Sequence, residues 1–117
     1  MLYESEWRIL NVLWREGPIP ATEIVKLLAE EIGWNRNTTY TVLKRCVEKE
    51  LVERTEPRFI CRAIITKQQA QKQALLELVD RYFENKTEKM ICFSLQDLKK
   101  EELKKIKKAV KKLEKNC

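Results

Sequence analysis

Apolar residues recur at intervals of three and four in the first part of the chain, the spacing of helices that each bury one face. The first predicted helix covers residues 5–16, with Ser5 as its N-cap. The second covers residues 21–32 and ends at Gly33, because glycine is the common residue after a helix C-terminus. The third starts from an Asn N-cap and covers residues 35–49. The buried faces of the first two helices are predicted to hold Trp7, Leu10, Leu13, Trp14, Ile24, Leu27, Leu28 and Ile32.

The pattern changes after the third helix. Residues 51–55 and 59–65 are short and rich in β-branched side chains, and Glu56-Pro57-Arg58 between them supplies a turn. These features predict a β-hairpin. Three helices followed by a hairpin is the element order of a winged-helix domain. The predicted fold class is therefore mainly α with a small β-hairpin, built as a winged helix-turn-helix head with a helical tail.

The tail begins where Thr66 and Gln69 fit a capping box, which opens a fourth helix that extends to about Glu84. A short segment at residues 88–95 leads to a last helix at about residues 99–115. The apolar residues of that helix are spaced by three, four and three positions, which forms a seam of about two heptads for a partner helix.

These elements predict two domains and a homodimer. We divide the chain into a winged-helix DNA-binding domain at residues 1–66 and a helical dimerisation domain at residues 67–117. The residues predicted to hold the dimer together are the apolar ones of the two long tail helices: Leu75, Leu78, Val79, Tyr82, Phe83, Leu103, Ile106, Val110 and Leu113.

Charge points to a polyanionic partner. The 117 residues carry a net charge of +6, and residues 67–117 carry all of it, with fourteen basic and eight acidic side chains. Residues 1–66 are neutral in sum, but residues 36–62 hold seven basic and four acidic side chains. A basic half within the head, next to the third helix, is typical of a nucleic-acid-binding face.

The cysteines predict no metal site. Cys46, Cys61, Cys92 and Cys117 form no CxxC pair, and the chain has no histidine, so we expect neither a bound metal nor any other cofactor. Cys46 and Cys61 fall in apolar patterns and are expected to be buried; a role for any of the four thiols stays open. No signal segment opens the chain and no apolar run approaches about 18 residues, so we expect a cytoplasmic protein without membrane insertion.

The third helix is the predicted recognition helix. Wound at about 100° per residue, it places Thr39, Val42, Leu43, Cys46 and Val47 toward the core. The opposite side presents groups that hydrogen-bond base edges or pair with phosphates, the helix N-terminus offers free amides to a phosphate, and the hairpin arginines line a wing. The predicted contacts with double-stranded DNA are Arg36, Asn37, Thr38, Tyr40, Thr41, Lys44, Arg45, Arg54, Arg58 and Arg62.

Other interpretations of the same residues stay open. The polar side of the third helix is also what an ordinary solvated helix shows, and a winged helix can serve as a protein-interaction module that never touches DNA. The basic tail could lie on an anionic membrane, but its thin apolar stripe without Trp or Phe favours a partner helix. Enzymatic activity is not expected, because the chain has no histidine, no glycine-rich phosphate loop and no nucleophile beside a base.

Three stretches of the chain resemble a known family. They are SEWRILNVLW near the start, WNRNTTYTVLKRCVEKELV in the middle and DLKKEELKKI near the end. In their order and content they are similar to the penicillinase repressor family of winged-helix transcriptional repressors. The resemblance is strongest in the S-E-W-x-I-x-x-x-L-W opening and in the run W-x-x-x-T-x-x-T-x-L-x-R, formed by Trp34, Thr38, Thr41, Leu43 and Arg45.

The resemblance implies a homodimer that binds a palindromic operator over a promoter and represses genes such as those for β-lactamase, penicillin-binding protein or metal export. In the antibiotic-resistance branch it implies a membrane sensor and a regulatory protease that cut the repressor in its tail. The family's cut precedes a Phe that follows Asn, whereas Phe93 here follows Cys92. The copper-responsive branch carries CxC pairs near its C-terminus, where this chain has only Cys117. An inducer of another kind, a metal or a redox signal, is the alternative.

Overall fold

The computed structural model describes residues 1–116. Cys117, one of the four thiols considered above, lies outside the described residues. The chain divides into two compact units, Met1–Leu75 and Leu76–Cys117. The elements of the described residues, in chain order, are α1 (Glu4–Glu16), β1 (Ile19–Pro20), α2 (Ala21–Ile32), α3 (Arg36–Glu48), β2 (Val52–Thr55), β3 (Ile60–Ala63), α4 (Lys67–Tyr82), α5 (Thr87–Leu95) and α6 (Lys100–Lys115).

The three head helices form where the sequence predicts them. Gly33 adopts the left-handed backbone (φ 72°) that ends α2, and the Asn35 side chain caps α3. The predicted N-cap of α1 is wrong: the cap is Tyr3 and Ser5 lies inside the helix. The reason is Glu6, whose carboxylate accepts a 2.8 Å hydrogen bond from the Tyr3 N–H and so places the cap two residues before Ser5.

The hairpin is part of a three-stranded antiparallel sheet in the order β1-β3-β2. In the hairpin, Val52 pairs with Ala63 and Thr55 with Ile60. The sequence pattern predicts no strand at residues 19–20, where the structure has the short strand β1, which pairs with β3 through Ile19 and Cys61. This pairing closes the sheet against the start of α2.

The core of the first unit is formed by one face of each head helix and the inward residues of the sheet. Trp7 and Trp14, predicted on the buried face of α1, are only half-buried, and their rings meet edge to face with centroids 5.4 Å apart. The Trp14 indole N–H donates a 3.0 Å hydrogen bond to the Ile65 carbonyl and ties α1 to the chain after β3. The buried apolar residues that pack together in this core are Ile9, Leu10, Val12, Leu13, Ala21, Ile24, Leu28, Val42, Leu43, Cys46, Val52 and Cys61.

The tail is helical, as predicted. Thr66 and Gln69 form the expected capping box at the start of α4, with reciprocal hydrogen bonds of 3.0 and 2.9 Å. The segment expected only as a short connection is helix α5. The predicted fold class is confirmed: three helices and a β-wing form a winged helix-turn-helix head, and further helices form the tail.

Candidate nucleic-acid interface

Local hydrogen bonds fix the N-terminal end of α3. The Asn35 side chain accepts a 2.8 Å hydrogen bond from the Thr38 N–H, which satisfies one of the free amides of the first turn. The Thr41 hydroxyl donates to the Asn37 carbonyl at 2.8 Å. The end of the helix that would enter a groove is therefore ordered by its own sequence.

One face of α3 is buried and the other is polar and exposed. Thr39, Val42, Leu43 and Cys46 are buried as predicted, while Val47 is half-buried. On the other face the structure brings together five of the predicted DNA contacts, all exposed: Arg36, Asn37, Thr38, Thr41 and Lys44. Tyr40 is half-buried, and the Arg36 guanidinium lies over its ring at 5.5 Å from the centroid.

Arg45 takes a different position from the rest of the predicted set. Its Nε donates a 3.1 Å hydrogen bond to the buried Glu6 carboxylate, and its guanidinium lies 5.4 Å from the centroid of the Tyr3 ring. Arg45 is thus held against α1 by an ion pair and a cation–π contact. The structure gives this residue a role in packing α1 on α3, which the helical wheel alone did not indicate.

Glu6 is a buried carboxylate at the centre of a charge network that sequence reasoning missed. Its carboxylate also accepts a 2.7 Å hydrogen bond from Lys49 Nζ. Burial by itself would raise the pKa of Glu6, but the hydrogen bonds from Lys49, the Tyr3 N–H and Arg45 outweigh it and lower the pKa below its ordinary value. The carboxylate therefore stays ionised and holds the recognition helix to α1.

The wing arginines do not share one face. Residues directly opposite in the ladder lie on the same face, and the face alternates along each strand. Arg62 pairs with Glu53, both by register and by an ion pair, whereas Arg54 lies opposite Cys61 on the other face. Arg58 is exposed in the turn between β2 and β3.

Among the predicted contacts, Lys44 and Arg58 are cations with neither an ion pair nor an aromatic contact in the described residues. Within residues 1–116, no ion pair involves either side chain, and both are exposed. They can therefore pair with a phosphate without breaking an existing contact. The N-terminal half of α3 offers amide and hydroxyl groups suited to base edges.

The tail helices leave much apolar surface exposed in the single chain. Six of the predicted dimer residues are exposed, namely Leu75, Leu78, Tyr82, Leu103, Val110 and Leu113. Ile106 and Phe83 are half-buried. Val79 is buried within one chain, so its side chain is not available to a partner. On α6, Leu103, Ile106 and Val110 line an open apolar groove together with Leu95.

The predicted cleavage region lies on α5. Cys92 and Phe93 are both exposed, and the Phe93 ring meets Phe83 with centroids 5.8 Å apart. The peptide bond between Cys92 and Phe93 lies inside helix α5, which has nine residues. A protease that binds an extended chain therefore requires α5 to unwind locally.

Residues 1–116 hold neither a metal-binding cluster nor a membrane-spanning helix. No group of three or more acidic or cysteine side chains is arranged to hold a metal ion. No helix there is long and apolar enough to cross a membrane.

Sequence comparison gives a match over most of the chain. The sequence model of the penicillinase repressor family matches residues 2–112. No curated protein matches the chain. A solved structure of a MarR family regulator from Neisseria meningitidis is similar at 19% identity and a TM-score of 0.44, covering 99% of this chain and 82% of that one.

Proposed function

We propose that this chain, which belongs to the penicillinase repressor family, represses transcription as a homodimer that binds a palindromic promoter operator in the cytoplasm. The family supports a transcriptional repressor. The operator, the dimer and the regulated genes, which include β-lactamase or other antibiotic-resistance genes, are the proposal. The chain acts by binding and performs no catalysis.

The exposed polar face of α3 is the observation that carries the proposal. Asn37 and Thr41 lie on that face near the capped N-terminus, and Lys44 lies one turn further along. A major groove admits one α-helix, and the N-terminal residues of such a helix contact base edges. We assign base contacts to Asn37, Thr41 and Tyr40, and backbone contacts to Lys44 and Arg58.

The remaining predicted contacts fit this assignment to different degrees. Arg36 and Thr38 are exposed in the first turn of α3, near the free amides that favour a phosphate. Arg54 and Arg62 are exposed on opposite faces of the wing. Arg45 is engaged with Glu6, so its part in binding is to hold α3 in place.

The exposed apolar surface of the tail helices supports dimerisation. Tyr82 and Leu113 expose 68% and 65% of their surface in the single chain, an arrangement that a partner copy would bury. Two linked heads bind paired half-sites with a gain in effective concentration. We therefore include Leu75, Leu78, Tyr82, Leu103, Val110 and Leu113 in the dimer surface, with Ile106 and Phe83 at its half-buried edge, and leave out Val79.

Relief of repression by proteolysis is the regulatory part of the proposal. A cut between Cys92 and Phe93 would separate α6 from the head and remove the link between the two heads of a dimer. The exposure of both residues supports access, after local unwinding of α5. A membrane sensor system with its protease is the partner that the family resemblance implies. The alternative inducer is redox chemistry or a metal.

Titration of promoter DNA tests the proposal. Fluorescent duplex from the region upstream of the protein's own gene is titrated with purified protein over a salt series, with unrelated duplex as competitor. Lys44→Ala is compared with Arg8→Ala, which removes an exposed cation of α1 that pairs with Glu4. We expect competitor-resistant binding that weakens steeply with salt, a loss with Lys44→Ala and wild-type binding with Arg8→Ala.

Two other outcomes would overturn the proposal. In the first, unrelated competitor duplex displaces the promoter duplex as well as unlabelled promoter duplex does, at every salt concentration. Such binding shows only the attraction of a basic protein for DNA. No binding at low salt, by protein that is folded by circular dichroism, favours the protein-interaction module instead. In that case the exposed residues of α3 are free to change without any effect on nucleic-acid affinity.

A further inference from the structure

The wing tip holds an exposed aromatic side chain that the sequence did not single out. Phe59 is the last residue of the turn between β2 and β3, and 44% of its surface is exposed. Its φ of 50° lies in the left-handed region, which disfavours any residue with a Cβ. Burial of the ring does not offset the cost of this backbone conformation, because the ring is exposed. Other contacts of Phe59 must therefore stabilise it.

The backbone of Phe59 is fixed by its neighbours. Its carbonyl accepts a 3.0 Å hydrogen bond from the N–H of Ala21, the first residue of α2. The Cys61 thiol donates to the same carbonyl at 3.4 Å. The wing tip is thereby tied to the start of α2, and the backbone that carries the ring is held in place.

The Phe59 ring supports Arg54. The Arg54 guanidinium lies over it, 5.1 Å from the ring centroid. Within residues 1–116 no carboxylate pairs with Arg54, in contrast to Arg62, which pairs with Glu53. Stacking holds a guanidinium in place without neutralising it. Of the two strand arginines, Arg54 therefore keeps its full charge for an external anion.

We infer that Phe59 is a positioning residue that presents Arg54 to a phosphate of the DNA backbone beside the groove that α3 occupies. This inference rests on the proposed function and names the wing contact within it. A stacked guanidinium has already lost part of its rotamer freedom, so binding a phosphate costs less ordering than with a free arginine. Arg58, with no such support, provides attraction without a fixed geometry.

A double-mutant cycle on DNA binding tests the inference. The variants are Phe59→Leu, which keeps apolar volume but removes the π face, Phe59→Tyr, which keeps that face, Arg54→Ala and the Arg54→Ala/Phe59→Leu double variant. Arg62→Ala, alone and with Phe59→Leu, is the matched control. Each variant is titrated with the promoter duplex over the salt series, and its fold is checked by circular dichroism and thermal unfolding.

We expect coupling between Phe59 and Arg54 only. Arg54→Ala makes the slope of log K against log salt concentration shallower by about 0.9 per head. If wild type and variant bind equally at 1 M salt, the variant binds about eightfold more weakly per head at 0.1 M salt. Phe59→Leu reproduces part of that loss, the double variant is no weaker than Arg54→Ala, and Phe59→Tyr binds like wild type. The effects of Phe59→Leu and Arg62→Ala add.

The results that would overturn the inference differ from those that overturn the function. If wild type binds the promoter specifically and Phe59→Leu binds equally well with the same slope, the inference is wrong and the repressor proposal stands. Additive losses for Arg54→Ala and Phe59→Leu also reject it. If folded wild-type protein binds no DNA, the proposed function fails and the inference fails with it.

Discussion

Lys49 Nζ donates a 2.7 Å hydrogen bond to Oε1 of the fully buried Glu6. This contact joins the end of α3 to the start of α1. Arg45, one turn earlier in α3, donates to the other oxygen of the same carboxylate. A buried charge is costly unless it is paired and hydrogen-bonded, so these two cations make the ionised Glu6 compatible with the core.

The first prediction concerns the loss of this charge. Glu6→Gln should lower the free energy of unfolding by about 2 kcal/mol, because charge-assisted hydrogen bonds are replaced and two cations lose their partner. Glu4→Gln is the control, since Glu4 forms only an exposed pair with Arg8 worth about 0.5 kcal/mol or less. Urea unfolding measures both, and equal stability of the two variants would reject the role given to Glu6.

The second prediction is the pH dependence of the same group. The pKa of Glu6 is lower in the folded chain than its ordinary value of 4.5. The stabilisation by ionised Glu6 is therefore fully present at pH values above 4.5. It is lost as the pH falls through the lowered pKa that Glu6 has in the folded chain. Thermal unfolding between pH 7 and pH 3 should show a smaller loss of Tm for Glu6→Gln than for wild type. Parallel curves for the two proteins would contradict the shift.

Much of the head is predictable because its signals are local. The hydrophobic spacing gives three helices in nearly the observed positions, and Asn35 and Gly33 mark their ends through contacts within a few residues. The polar face of α3 follows from helical winding alone. The hairpin follows from β-branched runs around a turn, with strands a little shorter than predicted.

What the sequence did not reveal depends on contacts between distant residues. β1 has only two residues and exists because β3 pairs with it across about 40 positions of chain. Arg45 was predicted to contact DNA since nothing local shows that a glutamate 39 residues earlier is buried beside it. Glu6 itself follows Ser5, a better N-cap by residue type, and only its hydrogen bond to Tyr3 explains the actual start of α1.

The third prediction concerns Glu50, which follows α3 with a φ of 60°. The Leu51 N–H bonds to the Cys46 carbonyl and the Glu50 N–H to the Val47 carbonyl, the pattern of a Schellman motif in which glycine is usual at the left-handed position. Glu50→Gly should raise the free energy of unfolding by about 1 kcal/mol. Glu48→Gly, at a helical position, should not stabilise the protein. A loss of stability in Glu50→Gly, measured by urea unfolding, would be inconsistent with this reasoning.

The fourth prediction is selective thiol reactivity. Burial raises the pKa of Cys46 to about 12, with a smaller contribution from the charge of Glu6, and burial also raises the pKa of Cys61. Cys92 is exposed. In a Cys117→Ser background at pH 8, a thiol reagent should modify Cys92 rapidly and spare the other two, because the thiolate is the reactive form. All three should react in denaturant, and fast labelling of Cys46 in the folded protein would show that its burial is incomplete.

The last prediction tests the dimer surface. Leu113 is 65% exposed on α6, and burying a leucine is worth about 1.5–3 kcal/mol, counted twice in a symmetric dimer. Leu113→Glu should therefore raise the Kd of the dimer by about a hundredfold or more, as measured by sedimentation equilibrium. Its affinity for a two-half-site operator should fall with it, since separated heads lose their effective concentration. Lys108→Glu is the control: it changes the charge more but lies about 140° around the helix from Leu113, so dimerisation should persist. A wild-type protein that sediments as a monomer would show that the chain forms no such dimer. A Leu113→Glu variant that dimerises normally would show that the interface lies elsewhere.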